Sequence, residues 1–318
     1  MEEMNIAYSS DNNYAQHVGV SMLSLFENNK HIDFINVYLI ENGISEENKE
    51  KLKSICTKYN RKITFINLKN FIYKINLNID KKISVNLYAR LFLATAIPKE
   101  VGRIIYLDSD SIINNDISKL WELDLRGNYI AGVKDTVDSS TKIKVGLNDN
   151  DNYINSGMIV IDLNKWRENN VENQFINFIN RNKGKVFHHD QGTINAVLSK
   201  RTLIIHPKYN TMTVMFTMKY KNILKYYEMN EYYSEKVLNE AINEPVFIHF
   251  TPAFVNRPWV KGCNHPLGKK YIEYLKMSPW KKNELIKDNR RIIEKVIAFL
   301  FNHFPFVIAN GICKILFS

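Results

Sequence analysis

The chain has 318 residues, 45% hydrophobic and 24% charged, with a formal net charge of +10 and a pI near 9.2. That balance supplies a sizeable core and excludes global disorder. The positive excess favours an anionic partner, whether nucleotide phosphate, nucleic acid or acidic lipid, without choosing among them.

Short β-branched and aromatic runs alternate with helical patterns along the first half. Met4 to Tyr8 reads as a strand, followed by a helix over Ala15–Glu27 with Val18, Met22, Leu25 and Phe26 on one face. Ile35–Ile40 is the next strand. The stretch ISEENKEKLKSICTKYN opens a helix at Ser45, with Glu46 and Glu47 in its first turn. Ile63–Leu68 is a third strand, Asn86–Thr95 a helix, and Arg103–Leu107 a fourth strand. This order argues for a mainly parallel, nucleotide-binding-like α/β sheet. The start, MEEMNIAYSSDNNYA, has no apolar signal-peptide core.

The second half is more mixed. Tyr129–Val133, Met158–Asp162 and Val246–Phe250 read as strands, KWRENNVENQFINFINRN as one helix, and another helix starts near Asp190. The segment Tyr209 to Tyr233, rich in Tyr, Met and Lys, is irregular and suits a lid or an acceptor-side wall. From about Pro279 the character changes, dividing the chain into a catalytic part, 1–278, and a basic amphipathic helical tail, 279–318. From Lys281 onward seven Lys/Arg oppose three Asp/Glu, a local net of +4 among bulky apolar residues. Such a tail either packs on the core or lies on an anionic membrane surface. No run reaches the roughly 18 apolar residues of a membrane span. Cys56, Cys263 and Cys313 are too few and scattered for a disulfide framework or zinc site. A cytoplasmic protein is expected, with the tail a candidate for the inner face of the cell membrane.

The chemistry concentrates in RIIYLDSDSIINND. An apolar strand delivers Asp108 and Asp110, whose side chains share one side of an extended chain. Two carboxylates that close repel unless a divalent cation lies between them or one is protonated. In an open α/β sheet, ligands bind at this end of a strand. A solvated turn with Asp108 as a helix cap is the plain alternative, and Asp116 reads as a cap for ISKLWEL. An EF-hand starting at Asp108 is excluded, because its sixth and twelfth positions hold Ile113 and Lys119. An aspartyl-phosphate phosphohydrolase also has a strand ending in D-x-D, but there the motif normally opens the domain. His249 ends VFIHF much as Asp108 ends its own strand. Two carboxylates with an imidazole favour Mn²⁺ over the all-oxygen preference of Mg²⁺ or Ca²⁺, although a lone histidine there also reads as a core residue. FHHDQGTINAV places His188, His189, Asp190 and Gln191 at a helix start, with Asp190 either the N-cap or a substrate-facing group. Walker A, G-x-G-x-x-G and G-x-S-x-G patterns are absent, and no nucleic-acid-binding module is recognisable.

Taken in order, these motifs resemble family 8 glycosyltransferases, from Asn5 to about Lys276. IAYSSDNNYA is similar to the opening strand and loop that hold uridine and ribose, with Asp11 and Asn13 at contacting positions and Tyr14 beside them. NLYARLFLATAIP matches the helix whose Arg90 reaches the donor. IIYLDSDSII is the metal motif, with Ser109 between the two aspartates. YINSGMIVIDLNKWR matches the loop of Asn155, Ser156 and Gly157 that touches the donor sugar. HHDQGTIN sets Asp190 and Gln191 beside the reacting carbon, and VFIHF supplies His249 as third metal ligand. The late motif departs from the family. HFTPAFVNRPW lacks the usual glycine, is two residues longer, and has Arg257 where lysine is usual, with Lys261 nearby.

The resemblance implies a GT-A fold, a mainly parallel Rossmann-like sheet with a smaller mixed acceptor-side part, to which the sequence past residue 278 adds the C-terminal helical tail. It further implies a Mn²⁺-dependent (or Mg²⁺-dependent) retaining transfer of galactose or glucose from a UDP-sugar to a saccharide or glycolipid acceptor of the cell envelope. Two other readings stand beside it: a D-x-D phosphohydrolase and a sugar-nucleotide-binding protein without activity.

Overall fold

The computed structural model describes residues 3–72 and 85–317. Met1, Glu2 and Ser318, the last in the tail, lie outside the described residues, as do residues 73–84. The first strands are β1 (Met4–Asp11), β2 (Ile35–Asn42), β3 (Lys62–Asn67), β4 (Arg103–Leu107) and β5 (Ser111–Ile113). They are followed by β6 (Ile130–Lys134), β7 (Ile154–Asp162), β8 (Thr202–Ile204), β9 (Thr211–Met212) and β10 (Phe247–His249).

Seven strands form one sheet in the order β3-β2-β1-β4-β7-β6-β8. All neighbours are parallel except β7, which runs antiparallel to both β4 and β6. The apolar runs are nearly continuous because both sheet faces are covered. Alternate residues enter different cores: Ile6, Tyr8, Val37, Leu39, Ile105 and Leu107 face one, while Ala7, Tyr38, Ile40, Ile104 and Tyr106 face the other. The helix Ala15–Asn28 fills the first core, with Val18, Met22, Leu25 and Phe26 all buried. This topology sets Asp11, Asp108 and Asp135, each at or just past the C-terminal end of a parallel strand, along the edge where β7 begins. A smaller sheet, β5-β10-β9, sits beside that edge.

The structure redraws several sequence expectations. Asn86–Thr95 is a 3₁₀ turn, Val85–Phe92, running into a short α-helix, Leu93–Ala96. KWRENNVENQFINFINRN is two helices, Leu163–Glu168 and Val171–Arg181, because Asn170 adopts a left-handed backbone (φ 52°) between them. Asparagine tolerates that conformation better than most residues. Met158–Asp162 is only the end of β7, so the Asn-Ser-Gly motif lies in a strand and not in a loop. Ser45 does cap its helix, accepting from Asn48 N–H at 3.3 Å. Asp116 accepts from Ser118 N–H at 2.8 Å, at the start of the Ser118–Trp121 turn.

After residue 278 the chain first stays on the core. Trp280 is buried, its ring lies against Gly19 so closely that an added Cβ would sit 2.3 Å from it, and its Nε1 donates to Asn48. Ile286 bridges to Val260. Two helices then follow, Ile292–His303 and Phe306–Phe317, exposing Ile292, Val296, Phe299, Val307, Ile308 and Ile315. Among the described residues no helix is long and apolar enough to cross a membrane.

Candidate active site

The D-x-D turn is built by two sheets meeting. Asp108 leaves β4 with its N–H donating to Gly157 O of β7 at 2.7 Å. Asp110 O accepts from Phe250 N–H at 2.9 Å, and the next residue, Ser111, opens β5, in register with His249 of β10. One ligand atom from each of Asp108, Asp110 and His249 therefore falls within 4.8 Å of the others. His249 Nε2 is 3.2 Å from Asp110 Oδ1 and 3.8 Å from Asp108 Oδ2. The imidazole lies directly over Gly157, where any Cβ would come 2.1 Å from its Cε1. Glycine is needed at position 157 for that approach.

Two arginines flank the carboxylates. Arg90, its guanidinium stacked 4.4 Å from the Tyr106 ring centre, pairs with Asp108 at 2.8 Å and Asp190 at 2.6 Å, and donates to Ser156 O at 2.7 Å. Arg257 pairs with Asp110 at 2.9 Å and donates to the Tyr14 hydroxyl at 3.3 Å. Burial alone would raise the pKa of Asp110, but the neighbouring His249 and Arg257 hold it well below the carboxylate range. Burial would lower that of His249, yet Asp110 and Asp108 keep it above the ordinary histidine value. Two carboxylates and an imidazole, half to fully buried and opened to a cleft, form a donor set that fits a divalent cation.

The other end of the cleft is a hydrogen-bonded wall. Gln191 Oε1 accepts from Ser156 N–H at 3.0 Å, and its Nε2 donates to Asp135 at 2.8 Å. Asn155 Nδ2 donates to the same Asp135 oxygen at 3.1 Å. Between β6 and β7 the register jumps, Gly132 opposing Ile159 and Val133 opposing Asn155. This bulge turns Asn155, Ser156 and Gly157 toward the site. Asp190 is not the N-cap; that position is His188, left-handed at φ 56°. Asp190 lies one residue inside the helix His189–Leu198, facing Arg90. Burial pushes its pKa up, Arg90 opposes, and Asp108 adds to the rise. A cavity of about 440 Å³ is lined by these groups and by Met212, Val214 and Tyr227. The last three come from Tyr209–Tyr233, which is not irregular but holds β9 and the helices Thr213–Thr217 and Tyr220–Tyr226.

The remaining expected residues divide. Asp11 accepts from Asn13 and Tyr14 N–H and so shapes the loop that carries them. Asn13 and Tyr14 line a second cavity, about 760 Å³, with His17, Trp259 and Trp280. Ser109 is half-buried in the turn. Lys261 is not brought in: it is more than half exposed and its ammonium pairs with Glu284 at 3.4 Å. Two participants escaped the sequence reading. Asp135 follows β6 as Asp108 follows β4, a signal that was available. Asn210, the last residue of the 3₁₀ turn Pro207–Asn210, contacts His249 Nδ1 at 3.1 Å and carries no signal in the sequence.

The family model "Glycosyl transferase family 8" covers residues 5–263. The chain belongs to that family of glycosyltransferases. It is 30% identical to general stress protein A of Bacillus subtilis (strain 168) over 283 residues, 88% of this chain and 95% of that one. It is also 30% identical to the lipopolysaccharide 1,2-glucosyltransferase of Escherichia coli (strain K12) over 303 residues, 92% and 83% of the two chains. Among solved structures, galactosyltransferase LgtC in complex with donor and acceptor sugar analogs aligns with a TM-score of 0.69 at 24% identity, covering 87% of this chain and 96% of that one. The bifunctional glycosyltransferase WbbM aligns at 0.73 and 20% identity, covering 88% of this chain and 50% of that one. The fold is thus of the GT-A type. The phosphohydrolase reading has no support beyond its local D-x-D likeness.

Proposed function

We propose that this glycosyltransferase is a metal-dependent, retaining enzyme that moves galactose or glucose from a UDP-sugar to a saccharide or glycolipid of the cell envelope. The observation that carries this is the convergence of Asp108, Asp110 and His249 at one end of the cleft whose other end is walled by Arg90, Asp190 and Gln191. The three ligands would hold Mn²⁺, or Mg²⁺, which as a Lewis acid neutralises charge on the departing diphosphate. Arg257, already between Asp110 and Tyr14, presents a second positive group to that diphosphate. Asp11, Asn13 and Tyr14 shape the nucleoside side, with Ser109 in the turn beneath. Lys261 contributes only general positive potential from its exposed position.

On the hexose side, Arg90 fixes Asp190 and the Ser156 carbonyl, while Asn155 and Ser156, at the start of β7, line the cleft where sugar hydroxyls would lie, with Gly157 next to them. Asp190 is buried and neutralised by Arg90, which weakens it as a nucleophile and suits it to positioning. Gln191 has its carboxamide oxygen on Ser156 N–H and its nitrogen on Asp135, so it is held beside the reacting carbon as a dipole of fixed direction. A dipole held in this way can support an oxocarbenium-like state while the acceptor attacks on the leaving-group face, the route by which configuration would be retained. Met212, Val214 and Tyr227 form the acceptor wall. The similarity to a lipopolysaccharide 1,2-glucosyltransferase supports an envelope acceptor. The exposed apolar and basic residues of the 279–318 tail support peripheral binding to anionic lipid from the cytoplasmic side.

A screen of UDP-sugars with release of UDP as readout tests this. UDP-galactose or UDP-glucose should be turned over with Mn²⁺ and not with chelator. Binding of UDP without turnover of any donor would mean a sugar-nucleotide-binding protein instead.

A further inference from the structure

Asn210 lies outside every motif of the site, yet it is fully buried and touches the third ligand of the metal set. Its orientation follows from donors and acceptors alone. The backbone N–H of Gly157 can only donate, and its partner at 3.0 Å is Asn155 Oδ1. The amide nitrogen of Asn155 accordingly faces the Asp135 carboxylate at 3.1 Å, an acceptor when ionised. The atom of Asn210 lying 2.9 Å from Asn155 Oδ1 must then be a donor, its Nδ2. That leaves Asn210 Oδ1 facing His249 Nδ1 at 3.1 Å, an acceptor that requires hydrogen on Nδ1. The neutral ring then carries its lone pair on Nε2, the nitrogen that faces Asp110 and Asp108.

We infer that Asn210 is a positioning residue: through the relay Gly157–Asn155–Asn210 it fixes His249 as the Nδ1–H tautomer, so that Nε2 is presented to the cation. The alternative tautomer would donate from Nε2 to Asp110 and close the ligand set with its own hydrogen bond. The relay forbids that, because it would set Nδ1 as an acceptor against Asn210 Oδ1. Outer partners of this kind fix ring direction and ligand basicity. Gly157 completes the cradle by admitting the ring over its Cα. The inference deepens the metal-site reading of the proposed function and rests on it, but the tautomer is a property of the protein alone.

The test uses the full chain with ¹⁵N-labelled histidine and needs no turnover. At alkaline pH, where the ring is neutral, the His249 nitrogen shifts of the wild type should report hydrogen on Nδ1; hydrogen on Nε2 would overturn the inference without any variant. Asn210→Leu should move the hydrogen to Nε2 and weaken Mn²⁺ binding, followed by electron paramagnetic resonance of the free ion, about 10- to 100-fold. Unchanged tautomer and affinity in a folded Asn210→Leu would also overturn it. If that variant does not fold, Asn210→Asp, which keeps an acceptor at Nδ1, should hold the tautomer and bind Mn²⁺ within a few-fold of wild type. A switch to Nε2–H in Asn210→Asp would count against the relay. Failure of the wild type to bind Mn²⁺ would sink the metal-site reading separately, and the relay would then stand or fall on the tautomer.

Discussion

The two ends of the cleft are built on opposite principles. At one end three ligand atoms, from Asp108, Asp110 and His249, face a common point, with arginines paired to the two carboxylates at the side. At the other, Gln191, Asn155, Ser156 and Asp135 use up one another's donors and acceptors. The first end is a place for added positive charge; the second is a preset surface against which a polar ligand is oriented. Charge work and shape work are separated, and Arg90 spans them, pairing with Asp108 at one end and Asp190 at the other.

That separation predicts a ranking of effects. Asp110→Ala removes a ligand and the partner of Arg257, and UDP release should fall by about 10³-fold or more, a barrier increase of roughly 4 kcal/mol. Arg90→Gln should strike both ends together, lowering kcat/KM by about 10²-fold. It should also destabilise the fold by about 3–5 kcal/mol, because Asp190 would remain buried without its cation. Thermal unfolding alongside kinetics separates the two losses. A loss in only one would mean that Arg90 does not couple the ends.

A pH effect on stability is expected from the scaffold behind the charged end. His17, against Trp259 and Tyr271, and His265, beside Phe250, are pushed by burial down to about 4 from 6.5. Their folded values lie below the unfolded one, so the stability they permit is complete above about pH 6.5 and falls as pH drops toward 4. The loss reaches roughly 3 kcal/mol per ring. Melting temperature measured across that window should drop. His265→Asn, which keeps an acceptor for Leu267 N–H, should flatten the slope. The smallest effect is expected at Lys261. Lys261→Ala should change kcat/KM less than about 2-fold, since its ammonium is exposed and paired with Glu284.

The parts legible in the sequence were those where local chemistry and fold position coincide. β4 and its two aspartates were readable because an apolar strand must end where the carboxylates begin. The helix Ala15–Asn28 was readable from its apolar period. The Asn-Ser-Gly stretch was misplaced into a loop because a strand bulge leaves no mark in hydrophobic alternation. The break at Asn170 was hidden in a run of helix-compatible polar residues. By position Asp190 reads equally as an N-cap or a substrate-facing group, and only the tertiary fold, with His188 at the cap and Asp190 paired to the distant Arg90, decides against the cap. Asn210 was invisible because its role depends on three hydrogen bonds closed by the tertiary fold.

Equilibrium binding of UDP, titrated with Mn²⁺ and then with chelator, for the wild type and Asp110→Ala side by side, is the most direct test of the central claim. If Asp108, Asp110 and His249 hold the cation that receives the diphosphate, Mn²⁺ should tighten UDP binding to the wild type at least about 10-fold. It should do nothing for Asp110→Ala. Equal UDP affinity in both proteins, with and without the metal, would contradict the account.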